Sequence, residues 1–236
     1  MSLIFLDTET TDCDANARLI QLAYKHMPGG TVVNEYFKPP VPISFGAMAT
    51  HHVTNEMAAD KPMFEGSRHQ NTLRELLKTS AVVAHNAPFD IMILKNDGLE
   101  VQEYIDTLRI ARHILDSEQY ALQYLRYSLN LGVQGVAHDA LGDIMVLEAL
   151  FEYLKMHIAE KFSLGSEQEI LEKMFELTQM PVLLQSFTFG KYKGKTFEEV
   201  ADIDQNYLQW LYGSETMKPE HDQNEDLVWT LKTHIT

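Results

Sequence analysis

Two carboxylates stand two residues apart near the start of the chain, Asp7 and Glu9 in the segment LDTET. The apolar run SLIFLD leads into them and is typical of a buried β-strand. Alternate side chains of a strand point to the same face, so Asp7 and Glu9 would project together. Carboxylates placed this way repel each other unless a cation joins them. For this pair alone, a solvated strand end is the alternative explanation.

Two further acidic residues occur in the first turns of predicted helices. Asp90, in AHNAPFD, follows an apolar run typical of a strand, and Asp143, in HDALGD, lies near the start of the longest helical segment. An acidic residue in a first turn often only complements the helix dipole. His138, however, lies just before the helix that carries Asp143 and could face the same ion from the preceding loop. These residues could together bind a divalent cation and move a proton.

The apolar pattern predicts the elements that would position these side chains. Residues 17–39 are typical of two strands around the turn PGG, and residues 81–86 of another buried strand. Strands and helices then alternate up to the long helix that begins near residue 139. We therefore predict an α/β domain over residues 1–165, followed by a linker with a bridging helix over 166–184 and a small module over 185–236.

The composition limits the class of protein. The chain has 236 residues and a 45% apolar share, which fits a globular protein, and its single cysteine, Cys13, excludes an internal disulfide. No apolar run approaches a membrane span and the start lacks the features of a signal peptide, so we expect a cytoplasmic protein without a membrane partner. The formal charge of -15 argues against coating duplex nucleic acid. It argues less against an enzyme that uses bound cations to grip a few nucleotides.

The order of these motifs resembles the DEDDh (DnaQ-like) family of 3′–5′ exonucleases. The resembling residues are Asp7 and Glu9, then Asp90, then His138 with Asp143, spread over about the first 160 residues. The sister branch of this family carries a tyrosine four residues before the last aspartate, where this chain has an aspartate. The resemblance implies a ribonuclease-H-like fold with a mixed five-stranded sheet flanked by helices. It also implies release of nucleoside 5′-monophosphates from 3′ ends, in DNA repair or recombination.

The same resemblance implies two Mg²⁺ ions, for which Mn²⁺ can substitute. Asp7 would bridge both ions, Glu9 and Asp143 would complete the ion that generates the nucleophile, and Asp90 would hold the second ion, partly through water. Two metals about 4 Å apart can stabilise the attacking and leaving oxygens of an in-line displacement. His138, with a reference pKa of about 6.5, would be the general base.

Weaker features surround this set. MATHHVTNEM resembles the family segment near the 3′-terminal nucleotide, so His51 would approach the substrate, with Thr8 and Thr10 beside the strand that carries the carboxylates. His85 and Asn86 resemble residues that shape the substrate pocket. A His-Asn pair that satisfies loop backbone groups is the alternative for those two.

The segment TFGKYKGKT, residues 188–196, ends like a phosphate-binding loop. A Walker A loop needs a glycine where Phe189 stands, so we exclude an ATPase. The segment resembles the small domain that the exodeoxyribonuclease X subfamily carries after its catalytic domain. Lysines interleaved with aromatic rings suit a single strand, because bases stack on rings while lysines pair with phosphates. The candidates are Lys191, Tyr192, Lys193 and Lys195. The alternative is that the module uses its aromatic residues, Phe187, Phe189, Tyr207 and Trp210, for its own core.

The expected substrate is a DNA 3′ end, with single strands preferred. Three alternatives stay open: an exoribonuclease of the ribonuclease T or oligoribonuclease type, a polymerase proofreading subunit, and a non-catalytic binding module. The sequence carries no signal for an oligomeric state.

Overall fold

The structure is a computed structural model that describes residues 1–133, 140–219 and 223–235. The chain divides into two compact units, Met1–Thr178 and Gln179–Thr236. His138, the predicted general base, lies outside the described residues. The division between residues 178 and 179 falls within the linker predicted over 166–184.

A mixed sheet of five strands forms the centre of the first unit. The strands are β1 (Ser2–Thr10), β2 (Leu19–Met27), β3 (Thr31–Tyr36), β4 (Ser80–Ala84) and β5 (Tyr104–Asp106). Their order across the sheet is β3-β2-β1-β4-β5. Strand β1 pairs antiparallel with β2 and parallel with β4, while β2 pairs antiparallel with β3 and β4 parallel with β5. This arrangement confirms the predicted five-stranded mixed sheet.

Eight helices occur among the described residues that accompany this sheet. They are α1 (Phe45–His51), α2 (Asn55–Ala59), α3 (Arg68–Leu77), α4 (Ala87–Asn96), α5 (Thr107–Ile114), α6 (Leu122–Ser128), α7 (Ala140–Phe162) and α8 (Glu167–Gln179). Among the described residues, none of the helices combines the length and apolar character that crossing a membrane requires.

The two faces of the sheet support separate apolar cores. Ile4 and Leu6 of β1 pack with residues of α3 and α4, whereas Phe5 packs with residues of α5, α6, α7 and α8. Side chains alternate along a strand, so β1 presents Thr8 to the first core and the flanking Asp7 and Glu9 to the second. Because of this alternation, Thr8 faces the core that contains α4, whereas Asp7 and Glu9 face the core that contains α7.

Helix α8 is the helix predicted to bridge the two domains. It forms over residues close to those expected, but its buried Met174 and Leu177 belong to the same core as Phe5. The structure therefore packs α8 against the first unit instead of leaving it in a linker.

The second unit is a small helical module. Its helices are α9 (Phe197–Ile203), α10 (Gln205–Thr216) and α11 (Glu225–His234). Phe187 and Phe197 stack with ring centroids 4.0 Å apart in the centre of this module. The alternative explanation, that aromatic residues form the module's own core, therefore holds for Phe187, whereas Phe189 and Trp210 are exposed.

Candidate active site

Three of the predicted carboxylates converge at the carboxyl end of β1. Asp7, Glu9 and Asp143 each offer a ligand atom, and these atoms all lie within 4.8 Å of one another. Asp7 and Glu9 are half-buried, and Asp143 is buried in the first turn of α7. Carboxylate oxygens are hard ligands of the kind that Mg²⁺ and Mn²⁺ prefer. The donor set therefore fits a divalent cation.

Strand pairing explains why this end of β1 is open to a ligand. The parallel ladder between β1 and β4 ends at Phe5, opposite Val83, so Asp7 and Glu9 extend beyond β4. On the other side, β2 places the small residue Ala23 opposite Asp7. Strands β1, β4 and β5 run parallel, so their carboxyl ends meet at one edge, where α/β sheets commonly bind ligands.

Asp90, the fourth predicted carboxylate, contacts the other face of β1. Its Oδ1 accepts a 2.7 Å hydrogen bond from the Thr8 hydroxyl. Burial raises the pKa of Asp90 to about 7, and the Thr8 hydrogen bond opposes that rise. Asp90 is not a member of the three-carboxylate cluster formed by described residues. A nearby cation would favour the ionised form of this carboxyl.

The junction that presents Asp90 depends on Asp106. Its Oδ1 accepts hydrogen bonds from the backbone N–H of Asn86 at 2.9 Å and of Leu108 at 3.0 Å. The second bond caps α5, the helix-cap role typical of such an aspartate. Asn86 has φ 72° immediately before α4, a left-handed conformation that asparagine tolerates. Asp106 thus fixes the turn that leads from β4 into the helix carrying Asp90.

His85 is held by the fold through both ring nitrogens. Its Nε2 lies 2.7 Å from the Tyr120 carbonyl oxygen, which can only accept, so this nitrogen carries the proton. Its Nδ1 lies 3.0 Å from the Thr107 hydroxyl. Burial lowers the pKa of His85, which favours the neutral ring. These contacts match the alternative in which His85 satisfies local groups.

A cavity of about 410 Å³ adjoins the carboxylates. It contains the predicted Thr8, Thr10 and His51, whereas His85 and Asn86 are not among the described residues that line it. The full lining consists of Thr8, Glu9, Thr10, Asp12, Cys13, Gly46, Ala47, Thr50, His51 and Phe89. Sequence reasoning missed Phe89 and the small residues of α1, because only tertiary packing brings them to this edge.

His51 lies in this cavity as a neutral ring with a defined tautomer. Its Nε2 donates to the Thr10 carbonyl at 3.2 Å, and its Nδ1 accepts from the Val53 backbone N–H at 3.0 Å. Burial lowers the pKa of His51. The ring therefore fastens the end of α1 to the end of β1, beside Glu9.

Helix α6 contributes a residue that the sequence did not indicate. Gln123 donates a hydrogen bond from Nε2 to Oδ1 of Asp143. Arg126 in turn donates to Oε1 of Gln123 at 3.1 Å. The signal was absent from the sequence because twenty residues separate Gln123 from Asp143 and no motif joins them.

In the second unit, part of the loop that we predicted to bind single-stranded DNA, residues 188–196, forms hydrogen bonds within its own module. Lys191 Nζ lies 3.0 Å from Asp204 Oδ2, and the Tyr192 hydroxyl donates to the same oxygen at 2.6 Å. The Tyr192 hydroxyl and the Lys191 ammonium lower the pKa of Asp204. Lys193 and Lys195 are exposed.

The Gly-Lys-Thr ending of this loop has a structural explanation. Gly190 and Gly194 adopt φ 70° and 89°, which glycine accommodates without strain. Thr196 caps α9, with its hydroxyl accepting from the Glu199 backbone while the Glu199 carboxylate accepts from the Thr196 backbone. This reciprocal capping box gives the threonine a role unrelated to phosphate.

Comparison with known proteins defines the class of this fold and site. A family model described as "Exonuclease" matches residues 4–151, more than half of the chain. The chain therefore belongs to this exonuclease family, and it is an exonuclease enzyme. Enzymes of the family depend on divalent metal ions, for which the three-carboxylate cluster is a suitable site. A second model, described as "Exodeoxyribonuclease X-like C-terminal", matches residues 187–215.

Individual relatives agree with both models. The chain is 32% identical over 226 residues to "Exodeoxyribonuclease 10" of Escherichia coli (strain K12), covering 92% of this chain and 94% of the relative. It is 28% identical to "DNA polymerase III subunit epsilon" of Buchnera aphidicola, covering 90% and 96%.

Solved structures support the fold. "Exonuclease X in complex with 5′ overhanging duplex DNA" matches with a TM-score of 0.57 and 27% identity, covering 75% of this chain and 99% of that one. Escherichia coli exonuclease I with a dT13 oligonucleotide matches with a TM-score of 0.58 and 18% identity, covering 69% and 42%. The second likeness is one of fold alone.

Proposed function

We propose that the chain is a metal-dependent 3′–5′ exodeoxyribonuclease that releases nucleoside 5′-monophosphates from DNA 3′ ends. The observation that carries this proposal is the convergence of Asp7, Glu9 and Asp143 next to a cavity at the open end of the sheet. The similarity to Exodeoxyribonuclease 10 over nearly the whole chain supports DNA as the polymer.

The carboxylates have distinct roles in this proposal. Asp7, Glu9 and Asp143 hold divalent cations, with Mg²⁺ as the expected ion and Mn²⁺ as a substitute. Asp90 assists at a second ion from its position against Thr8. When bound, such cations stabilise negative charge on the attacking and leaving oxygens. His138 takes the proton of the attacking water as general base.

The cavity beside Glu9 would receive the terminal nucleotide. Thr8, Thr10 and His51 line it, and backbone groups of Gly46 and Ala47 can approach a sugar closely because their side chains are small. Its volume of about 410 Å³ lies within the range of small-ligand sites. These features favour a single nucleoside unit at the reacting end.

An exposed ring stands next to this cavity. Phe45 is the first residue of α1, directly before the cavity-lining Gly46, and 88% of its surface is exposed. Exposed aromatic rings beside a strand-binding groove can stack on bases without selecting among them. We include Phe45 as a contact for the strand that leads into the cavity.

In this proposal the second unit adds binding to longer single strands. Lys193 and Lys195 provide charge, and Trp210, 63% exposed, provides a ring for stacking. Residues 179–236 contain five lysines against nine aspartates and glutamates, so this contribution is small. Lys191 and Tyr192 shape the loop through Asp204 in this arrangement.

The test compares the purified chain with Asp7→Asn on 5′-labelled single-stranded DNA and on RNA of the same sequence. With Mg²⁺ we expect a ladder that shortens from the DNA 3′ end, and with EDTA no products. Asp7→Asn should slow the reaction by roughly 10³-fold or more, because it removes a ligand of the cations that stabilise the transition state. The exposed Asp60→Asn is the matched control and should retain full activity.

Three results would change the proposal. A ladder on RNA alone would make the chain an exoribonuclease. Early release of the label as a mononucleotide would reverse the direction of attack. No products on either polymer, from protein whose circular dichroism shows it folded, would favour the non-catalytic binding module.

A further inference from the structure

Helices α6 and α7 are connected by a chain of side-chain hydrogen bonds that ends on Asp143. Arg126 donates through a terminal nitrogen to Gln123 Oε1 at 3.1 Å, and Gln123 donates through Nε2 to Asp143 Oδ1. Arg126 also donates to the Val133 carbonyl through Nε at 3.2 Å and Nη2 at 2.8 Å. A single guanidinium therefore fastens Gln123 and the backbone that follows α6.

The arginine determines which way the glutamine amide points. A guanidinium has only donors, so the amide group facing Arg126 must be the oxygen. The NH₂ group of Gln123 is then directed at Asp143, whose carboxylate can accept it. The orientation of this amide follows from its partners on both sides and is not an arbitrary assignment.

The chemical nature of Gln123 matters for a metal ligand. A neutral amide occupies one oxygen of Asp143 without adding a positive charge that would compete with a cation at the same carboxylate. The hydrogen bond limits rotation of the side chain, so less orientational freedom is lost when an ion binds. Arg126 supplies its charge one side chain further away.

We propose that Gln123 is a positioning residue that orients Asp143 for a divalent cation, and that Arg126 holds Gln123 in the required orientation. The inference rests on the proposed function, because it treats Asp143 as a metal ligand. It adds a determinant of metal affinity on α6, outside the carboxylate set. Neither residue needs to touch the substrate.

The test replaces Gln123 by methionine, which keeps the length and volume of the side chain but removes the donor. Mn²⁺ binding to the nuclease-free, EDTA-stripped protein is measured by titration calorimetry, without DNA. We expect Gln123→Met to weaken Mn²⁺ binding by about 10-fold to 100-fold, the range typical when a residue that orients a ligand is lost. The concentration of Mg²⁺ that half-saturates hydrolysis should rise in parallel, and saturating Mg²⁺ should recover much of the rate.

Two further variants make the result specific. Gln168→Leu removes an exposed amide that donates to Glu172 and should leave Mn²⁺ binding unchanged. Arg126→Lys keeps the charge but lacks the planar fork that serves Gln123 and Val133 together, so it should weaken binding less than Gln123→Met. Asp143→Asn changes the metal-binding carboxylate itself, so its loss of Mn²⁺ affinity is the upper limit for the other variants.

The outcomes separate this inference from the proposed function. Wild-type Mn²⁺ affinity in a folded Gln123→Met variant would overturn the positioning role, even if the wild-type chain degrades DNA. Weakened Mn²⁺ binding in a chain that hydrolyses nothing would support the positioning role and overturn the proposed function. Equal melting temperatures of wild type and variant in EDTA would show that the loss does not arise from unfolding.

Discussion

The carboxyl end of β1 and the loop at residues 187–196 differ in how their charged side chains are arranged. At the end of β1, three carboxylates bring their oxygens within 4.8 Å of one another. In the loop, Lys191 and Tyr192 both bond to the single carboxylate of Asp204. Like charges gather in the first region, whereas opposite charges are matched in the second.

This difference separates a ligand site from a self-contained structure. Gathering carboxylates costs free energy unless a cation joins them, so a fold that does so indicates a functional requirement. In the loop, Lys191 and Tyr192 pair with Asp204 of the same module, and this pairing stabilises the conformation of the loop. Residue composition marked both regions in the sequence, but only the arrangement in space distinguishes them.

The largest effect we expect on folding concerns Asp90. Its folded pKa of about 7 exceeds the ordinary value of 3.8, so the folded chain retains a proton that the unfolded chain releases between those values. Stability should therefore fall as pH rises through this window. Asp90→Asn keeps the Thr8 hydrogen bond without the charge. In EDTA, it should raise the free energy of unfolding at pH 8 by on the order of a few kcal/mol.

The pH dependence is the decisive part of that measurement. Denaturant unfolding at pH 5 should show a smaller advantage for Asp90→Asn, because Asp90 is then mostly protonated in the folded wild type. The control is Asp97→Asn, which removes a buried carboxylate paired with Arg18 at 2.6 Å and should destabilise the chain at both pH values. If Asp90→Asn does not raise the free energy of unfolding at pH 8, the expected cost of burying the ionised Asp90 is contradicted.

Much of the first unit could be predicted from local patterns. Apolar runs and turn residues predicted the strands, and two-residue periodicity placed Asp7 and Glu9 on one face of β1. The chain's order of carboxylates then identified the family. Each of these signals is contained within a short segment or in a linear order of segments.

The missing parts depend on which helix packs against which face. Asp90 contacts Thr8 because α4 packs on the opposite face of β1 from α7. Gln123 reaches Asp143 because α6 and α7 share a core around Leu125. Such contacts join distant segments, so no local pattern predicts them. The pairing of Lys191 with Asp204 could not be predicted from the sequence either, because helix α9 separates the two residues along the chain.

An intermediate effect is expected from Phe45, the exposed ring beside the carboxylate end. Phe45→Ala should raise KM for single-stranded DNA by about 5-fold to 150-fold, because base stacking on a ring contributes about 1 to 3 kcal/mol. The turnover number should change little, since the ring does not touch the carboxylates in our proposal. Steady-state kinetics on oligonucleotides of increasing length measures both quantities.

Met217→Ala is the control for loss of an exposed apolar side chain, because Met217 is 87% exposed in the other unit. It should leave KM unchanged. An equal rise in KM for both variants would show that Phe45 does not contact the DNA strand as proposed. A drop in the turnover number of Phe45→Ala without a change in KM would show that Phe45 acts in a step other than strand binding.

The smallest effect is expected in the loop, where it tests the comparison directly. Lys193→Ala combined with Lys195→Ala should weaken binding of a long single strand by only a few-fold, because two phosphate contacts are lost among several. The slope of log affinity against log salt concentration should become shallower by about 1.4, from roughly 0.7 for each single-strand phosphate contact. Fluorescence anisotropy in the Asp7→Asn background measures binding without hydrolysis.

Lys191→Ala is the matched comparison, because this lysine already pairs with Asp204 at 3.0 Å. If the loop uses Lys191 for its own structure, the variant should lower the module's melting temperature and leave the salt slope almost unchanged. A salt slope altered as strongly by Lys191→Ala as by the double variant would show that the Asp204 pair opens for DNA. An unchanged slope in the double variant would instead make the whole loop structural, and strand binding would then rest on the carboxylate end alone.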